Sequence, residues 1–96
     1  MTTLVILEAP TKGGNAAELS AVLRELLPST RSFVGCRKVT GHLSQDGKTM
    51  LLVEEWDSRQ AYEKYSTWRV TTDIFKQLVA QLAGPANIRF FDPLDV

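Results

Sequence analysis

An α+β fold with elements in the order β-α-β-β-α-β is what the 96-residue sequence predicts, on three observations. Apolar runs of strand type alternate along the chain with apolar stripes of helical period. An Asp46-Gly47 pair stands between two β-compatible runs, the signal of a tight hairpin. The stretch from Leu51 to Arg69 begins as a strand-like run, stops at Asp57-Ser58 and restarts with helical spacing.

The first element is the continuous run Leu4-Val5-Ile6-Leu7, which reads as a strand covered on both faces. Pro10 and the Lys12-Gly13-Gly14 turn end it. Asn15 follows as a helix N-cap, with Glu18 at the matching return position. Ala16, Leu19, Val22, Leu23, Leu26 and Leu27 make the apolar stripe of that helix, and Pro28 is expected to close it.

The hairpin comes next, from Phe33 to Trp56. With Asp46-Gly47 as its centre, Leu43 faces Met50, His42 faces Leu51, Val39 faces Glu54 and Arg37 faces Trp56. Lys38 then opposes Glu55 as a cross-strand pair of opposite charge, which a slip of one residue would break.

Asp57 is expected to cap the following helix, with Gln60 returning to it. Ala61, Tyr65 and Trp68 fall at i, i+4 and i+7 on one face, and Tyr62 lies on the flank. Thr71-Thr72-Asp73 offers a second cap before Ile74, Phe75, Leu78, Val79 and Leu82, and Gly84-Pro85 stops that segment. The β-branched Val70, Thr71 and Thr72 argue for a break between the two helical segments, although one bent helix fits the same pattern. Ile88, Phe90 and Phe91 form the last strand, which Pro93 places near an edge or ends.

Composition narrows the function. Eleven basic and eleven acidic residues leave no net charge and no long block of either sign. Nucleic acid and anionic membrane are therefore poor partners. The N-terminal residues carry neither a basic region nor an apolar run long enough for a signal peptide or a span. One cysteine, Cys36, excludes an internal disulfide and suits a reducing cytoplasm, and with a single histidine it argues against a zinc site within one chain. The length suits one domain, residues 1–96, burying roughly 60–65% of its unfolded surface.

Two right-handed crossovers turn this order into a ferredoxin-like fold: a four-stranded antiparallel sheet with the helices on one face. The helices cover only that face, yet the first strand is apolar on both. The third carries Leu51 and Val53 on one side and Met50, Leu52 and Trp56 on the other. A second copy packed sheet to sheet is the economical cover, so a homodimer is expected.

The run Glu54-Glu55-Trp56-Asp57-Ser58-Arg59-Gln60-Ala61-Tyr62 resembles the antibiotic biosynthesis monooxygenase family of dimeric α/β barrels, and the element order extends that resemblance over nearly the whole chain. Many relatives carry a His three residues after the aromatic of that helix, where this chain has Tyr65. Haem-degrading relatives carry a Trp there, an Asn on the first strand and an axial His on the following helix. Ile6 takes the Asn position here and no His follows Trp68, which disfavours their chemistry.

The resemblance implies a pocket between helices and sheet that takes a hydrophobic aromatic molecule, to which oxygen is added without metal or flavin. The substrate would be an electron-rich phenol, quinol or polyketide anthrone. The protein would supply an apolar slot, a donor for the developing anion and exclusion of water. Tyr65, His42 and Arg37 are the candidate catalytic residues: a donor, a group that takes a proton near neutral pH, and an anion holder. Trp68, Tyr62, Trp56 and Arg69 are the candidate substrate-binding residues. Each has a plainer reading beside this one: Trp56 as core, Tyr65 as packing, Trp68 as marker of the helix break, His42 as a half-exposed strand residue, and the arginines as surface charges. A dimeric module that binds a hydrophobic small molecule without catalysis is the alternative function.

Overall fold

The computed structural model describes residues 2–96, and its elements follow the expected order with one helix more. They are β1 (Thr3–Pro10), α1 (Ala16–Arg31), β2 (Cys36–Leu43), β3 (Thr49–Trp56), α2 (Arg59–Arg69), α3 (Asp73–Val79) and β4 (Asn87–Phe91). The strands form one antiparallel sheet in the order β2-β3-β1-β4, the ferredoxin-like arrangement. The 19 Å shortest dimension is that of one sheet and one helical layer.

The hairpin register is the expected one over most of its length: Leu43 opposite Met50, His42 opposite Leu51, Val39 opposite Glu54 and Lys38 opposite Glu55. Gly47 supplies the positive φ of 75° that the turn needs. The register departs at the far end, where Cys36, not Arg37, opposes Trp56, with a bulge between Cys36 and Lys38. The extra residue turns Arg37 outward, and its Nε donates to Asp57 Oδ1 at 2.6 Å. Gly35, with φ of 93°, brings the chain close over α2; a Cβ there would stand 2.7 Å from that of Ala61.

Four helix ends differ from expectation in extent or in cap. Pro28 does not close α1, which runs on to Arg31. The missing N–H of Pro28 costs one bond in the last turns, while continuing the helix buries Thr30 against α2. Asn15 makes no side-chain cap; its amide donates instead to the carbonyl and side-chain oxygens of Gln81, tying α1 to the segment after α3. Ser58, not Asp57, caps α2 by accepting from the Ala61 N–H at 3.1 Å, because Asp57 is held by Arg37. The break between α2 and α3 falls at the β-branched run, and Thr72 caps α3. Leu82 lies beyond that helix, in a bridge with Thr11.

The helix-facing side of the sheet carries two apolar clusters. Ala9, Leu19, Leu26, Leu27, Val39, Met50, Leu52 and Leu78 make one, under α1 and α3. Val5, Trp56, Tyr62 and Tyr65 make the other, under α2. On the opposite face Leu4 and Phe91, which pair across β1 and β4, remain 38% and 42% exposed. Ile6 and Val53 pair at the centre of that face, and Leu51 lies two residues along from Val53. No helix among the described residues is long and apolar enough to cross a membrane.

Candidate functional site

Where the two clusters meet, between sheet and helices, the packing leaves a cavity of about 160 Å³. Leu7, Leu52 and Ile88 form its floor, and Leu26, Phe75 and Leu78 its helical walls. Exposed Val70 and Ala86 stand at its rim, toward solvent. Five polar side chains give this apolar hollow its chemistry: Glu54 from β3, and Tyr62, Tyr65, Ser66 and Arg69 from α2.

Tyr62, Tyr65 and Arg69 stand at i, i+3 and i+7, and this is the buried face of α2. The face is thus rotated from the expected one, and Trp68 lies at its exposed edge. Arg69, only 4% exposed, lies on this face and is hydrogen-bonded both to α1 and to Tyr65 of its own helix. Arg69 Nε donates to the Tyr65 hydroxyl at 2.9 Å. Its Nη2 donates to the Leu26 carbonyl at 3.0 Å, Ser29 Oγ at 2.7 Å and Thr30 Oγ1 at 2.9 Å. Thr30 and Tyr65 share a further hydrogen bond of 2.7 Å. Removing a cation from water costs several kcal/mol. Four hydrogen bonds to a charged donor, at about 1.5–3 kcal/mol each, are of the size needed to hold it there. None of these four uses Nη1, and every acceptor is neutral. The positive charge is therefore hydrogen-bonded but not neutralised.

Glu54 is the acidic counterpart. It is 3% exposed, and Trp56 Nε1 donates to its Oε1 at 2.9 Å. No ion pair joins it to Arg69 among the described residues. Burial pushes its carboxyl above the ordinary carboxylate value, against the opposing effects of the Trp56 hydrogen bond and the Arg69 charge. Burial likewise raises both tyrosines. The charge of Glu54 adds to the rise at Tyr62, whereas the hydrogen bonds from Thr30 and Arg69 restrain it at Tyr65. Both phenols are neutral at pH 7.

Of the seven residues expected at a site, three come together here: Tyr62, Tyr65 and Arg69. The Tyr65 hydroxyl turns toward α1, so its ring lines the cavity while its oxygen holds Arg69. Trp56, wholly buried, backs the tyrosines, with ring centroids 5.0 Å from Tyr65 and 5.7 Å from Tyr62. Trp68 stacks on Phe33 at 5.4 Å, outside the hollow. His42 and Arg37 lie away from it. His42 sits exposed on β2 within 3.0 Å of Thr40 Oγ1, beside an open surface groove of about 280 Å³ between α1 and β2. Its pairing with Leu51 places it on the uncovered face of the sheet. Arg37 is held at the surface by Asp57. Glu54 was missed, although it shares strand parity with Met50, Leu52 and Trp56. No group of three or more His, Cys, Asp and Glu residues suited to a metal ion occurs among the described residues.

The family model described as antibiotic biosynthesis monooxygenase matches residues 2–81. No curated protein matches the chain. Among solved structures, Rv0793 from Mycobacterium tuberculosis is 24% identical, with a TM-score of 0.76 over 100% of this chain and 98% of its own. A protein of Nitrosomonas europaea is 14% identical, with a TM-score of 0.81 over 98% and 91%. A Streptomyces coelicolor monooxygenase solved with nanaomycin D is 21% identical, with a TM-score of 0.70 over 98% and 88%. At these identities the likeness is one of fold.

Proposed function

The chain belongs to the antibiotic biosynthesis monooxygenase family, and from that premise we propose that it is a homodimeric, cofactor-independent monooxygenase of a small electron-rich phenol or hydroquinone. The observation that carries this reading is the cation of Arg69, buried beside an apolar cavity and in no ion pair with a carboxylate among the described residues. Such a site favours a guest that becomes an anion inside it.

Cavity size selects among the expected substrates. A hollow of about 150 Å³ holds benzene, and this one measures about 160 Å³. One aromatic ring fits between Leu52 and Phe75, with substituents projecting past Val70 and Ala86. A tricyclic anthrone asks for more room. The ring's oxyanion lies toward Arg69, which Tyr65 and Thr30 hold in place, and Leu26, Phe75 and Leu78 keep water from the reacting carbon. The balanced reaction takes a hydroquinone and dioxygen to a hydroxyquinone and water. One oxygen atom enters a ring C–H, and the other leaves as water. Four electrons pass from ring to dioxygen, two from the C–H and two from the hydroquinone. The lone, half-buried Cys36 suits a reducing compartment, and the reading puts the protein in the cytoplasm.

Oxygen uptake tests the proposal, with methylhydroquinone, a naphthohydroquinone and an anthrone each measured above its buffer rate. The expected order of kcat/KM is one ring, then two, then three. Product made under ¹⁸O₂ should carry one labelled oxygen. Arg69→Met, checked for folding by circular dichroism, should lose about 10²-fold or more. Enzyme rates at the buffer level for every compound would leave a ligand-binding module as the reading.

A further inference from the structure

We propose that Glu54 is the proton acceptor of this site, taking the hydroxyl proton of the bound ring; the inference rests on the monooxygenase reading above. Four observations carry it. Glu54 is the one carboxylate lining the cavity. It is 3% exposed, so water competes little for its proton. Its Oε1 is fixed by the indole of Trp56, leaving Oε2 free of any hydrogen bond among the described residues. It forms no ion pair with Arg69, the cation lining the same hollow, so the two unlike charges feel each other across the cavity without being in contact.

The step balances simply. The ring O–H bond breaks, its electron pair stays on the ring oxygen, and a new O–H bond forms on the Glu54 carboxylate. The negative charge thereby moves from Glu54 to the ring, toward Arg69. Dioxygen is then the oxidant, and the proton held by Glu54 is available to the oxygen atom that leaves as water. A carboxyl raised by burial, as this one is, removes such a proton better than an ordinary carboxylate.

The titratable groups around Glu54 are few. Tyr62, Tyr65 and Arg69 face it from α2, and Cys36 lies near it on β2, its thiol raised by burial and by the Glu54 charge. Across the sheet β1 presents Val5, and α3 lines the cavity with Phe75 and Leu78. Both phenols and the thiol are uncharged across the acidic range, so an acid limb of the rate belongs to Glu54.

The test is kcat/KM for oxygen uptake with methylhydroquinone from pH 4.5 to 8, for the wild type, Glu54→Gln and Glu54→Asp. Glutamine retains an acceptor for the Trp56 indole but takes no proton. The wild-type rate should fall toward low pH. Glu54→Gln should lose 100-fold or more and lose that limb, while Glu54→Asp, whose carboxylate is drawn back by one methylene, should keep the limb at a reduced rate. A Gln variant within threefold of the wild type, limb intact, overturns the proposal and leaves the monooxygenase reading standing. A wild type that never exceeds buffer overturns both, which is a different result. Should Glu54→Gln not fold, the Asp variant decides: full activity overturns the assignment, and reduced activity with the limb retained supports it.

Discussion

Glu54 and Arg69 are both ionisable, both almost wholly buried, and both held by neutral partners instead of each other. For Glu54 this has a measurable consequence for stability. Its folded pKa lies above its unfolded one, so between the two values the native state binds more protons than the unfolded chain. Stability is therefore lost as pH rises through that window, from the ordinary carboxylate value of about 4.5 up to the raised one. Glu54→Gln abolishes this loss. Its melting temperature relative to the wild type should climb between pH 4.5 and 8, and a difference that stays flat would show that Glu54 ionises without strain in the fold. The pair also marks where the sequence could be read and where it could not. The parity of β3 puts Glu54 in line with Met50, Leu52 and Trp56, so its inward position was legible once a charge was allowed to point inward. Arg69 lies at helical spacing from Tyr62, and the sequence singles it out as a substrate contact. The partners that bury it, Leu26, Ser29 and Thr30, stand 39 to 43 residues earlier on α1, a juxtaposition no local pattern announces.

Local chemistry set most element types, but side chains competing for the same partner moved the boundaries. The hairpin is the clearest success: the Asp46-Gly47 turn fixed the register from Leu43 to Lys38, because alternation and turn geometry agree there. It failed beyond Lys38, where the bulge gives Arg37 to Asp57 and Cys36 to Trp56. That one bulge also explains the displaced cap of α2. Asp57 is an equally good capping residue by type, but its carboxylate is engaged by Arg37, and Ser58 takes the Ala61 N–H. The two positions should therefore answer differently to mutation. Ser58→Ala should cost about 1 kcal/mol of unfolding free energy. Asp57→Ala removes an ion pair whose partners are more than half exposed and screened by solvent, and should cost less than the loss of the cap. Urea midpoints for the two variants decide it; an Asp57 variant losing more than the Ser58 variant would return the cap to Asp57. Pro28 is the same lesson on a helix end: a breaker by type, it is carried within α1 because the turn after it places Thr30 against Tyr65 and Arg69.

At the scale of the molecule, the cavity and the uncovered sheet face lie on opposite sides of the same four strands. On the uncovered face Ile6 and Val53 meet at the centre, flanked by Leu4, Leu51 and Phe91, while the Glu8–Arg89 pair of 2.8 Å and the Lys38 and Glu55 positions stand toward its margins. An apolar centre within a charged border is how a protein–protein interface is built, and a second copy of the chain, in a two-fold dimer, is the commonest cover for such a face. A standard interface needs roughly 800 Å² from each side, which a sheet within a 39 × 30 Å outline can supply. Val53→Glu sets two carboxylates near each other across the expected two-fold axis, at the point of closest packing. In sedimentation equilibrium the wild type should have the mass of a dimer at micromolar concentration and the variant that of a monomer. The melting temperature should rise with protein concentration for the wild type alone, because only an associating fold gains stability by mass action. A wild type that sediments as a monomer would mean that the face tolerates water unaided. It would remove the dimer while leaving the cavity untouched, since no residue of the uncovered face lines it.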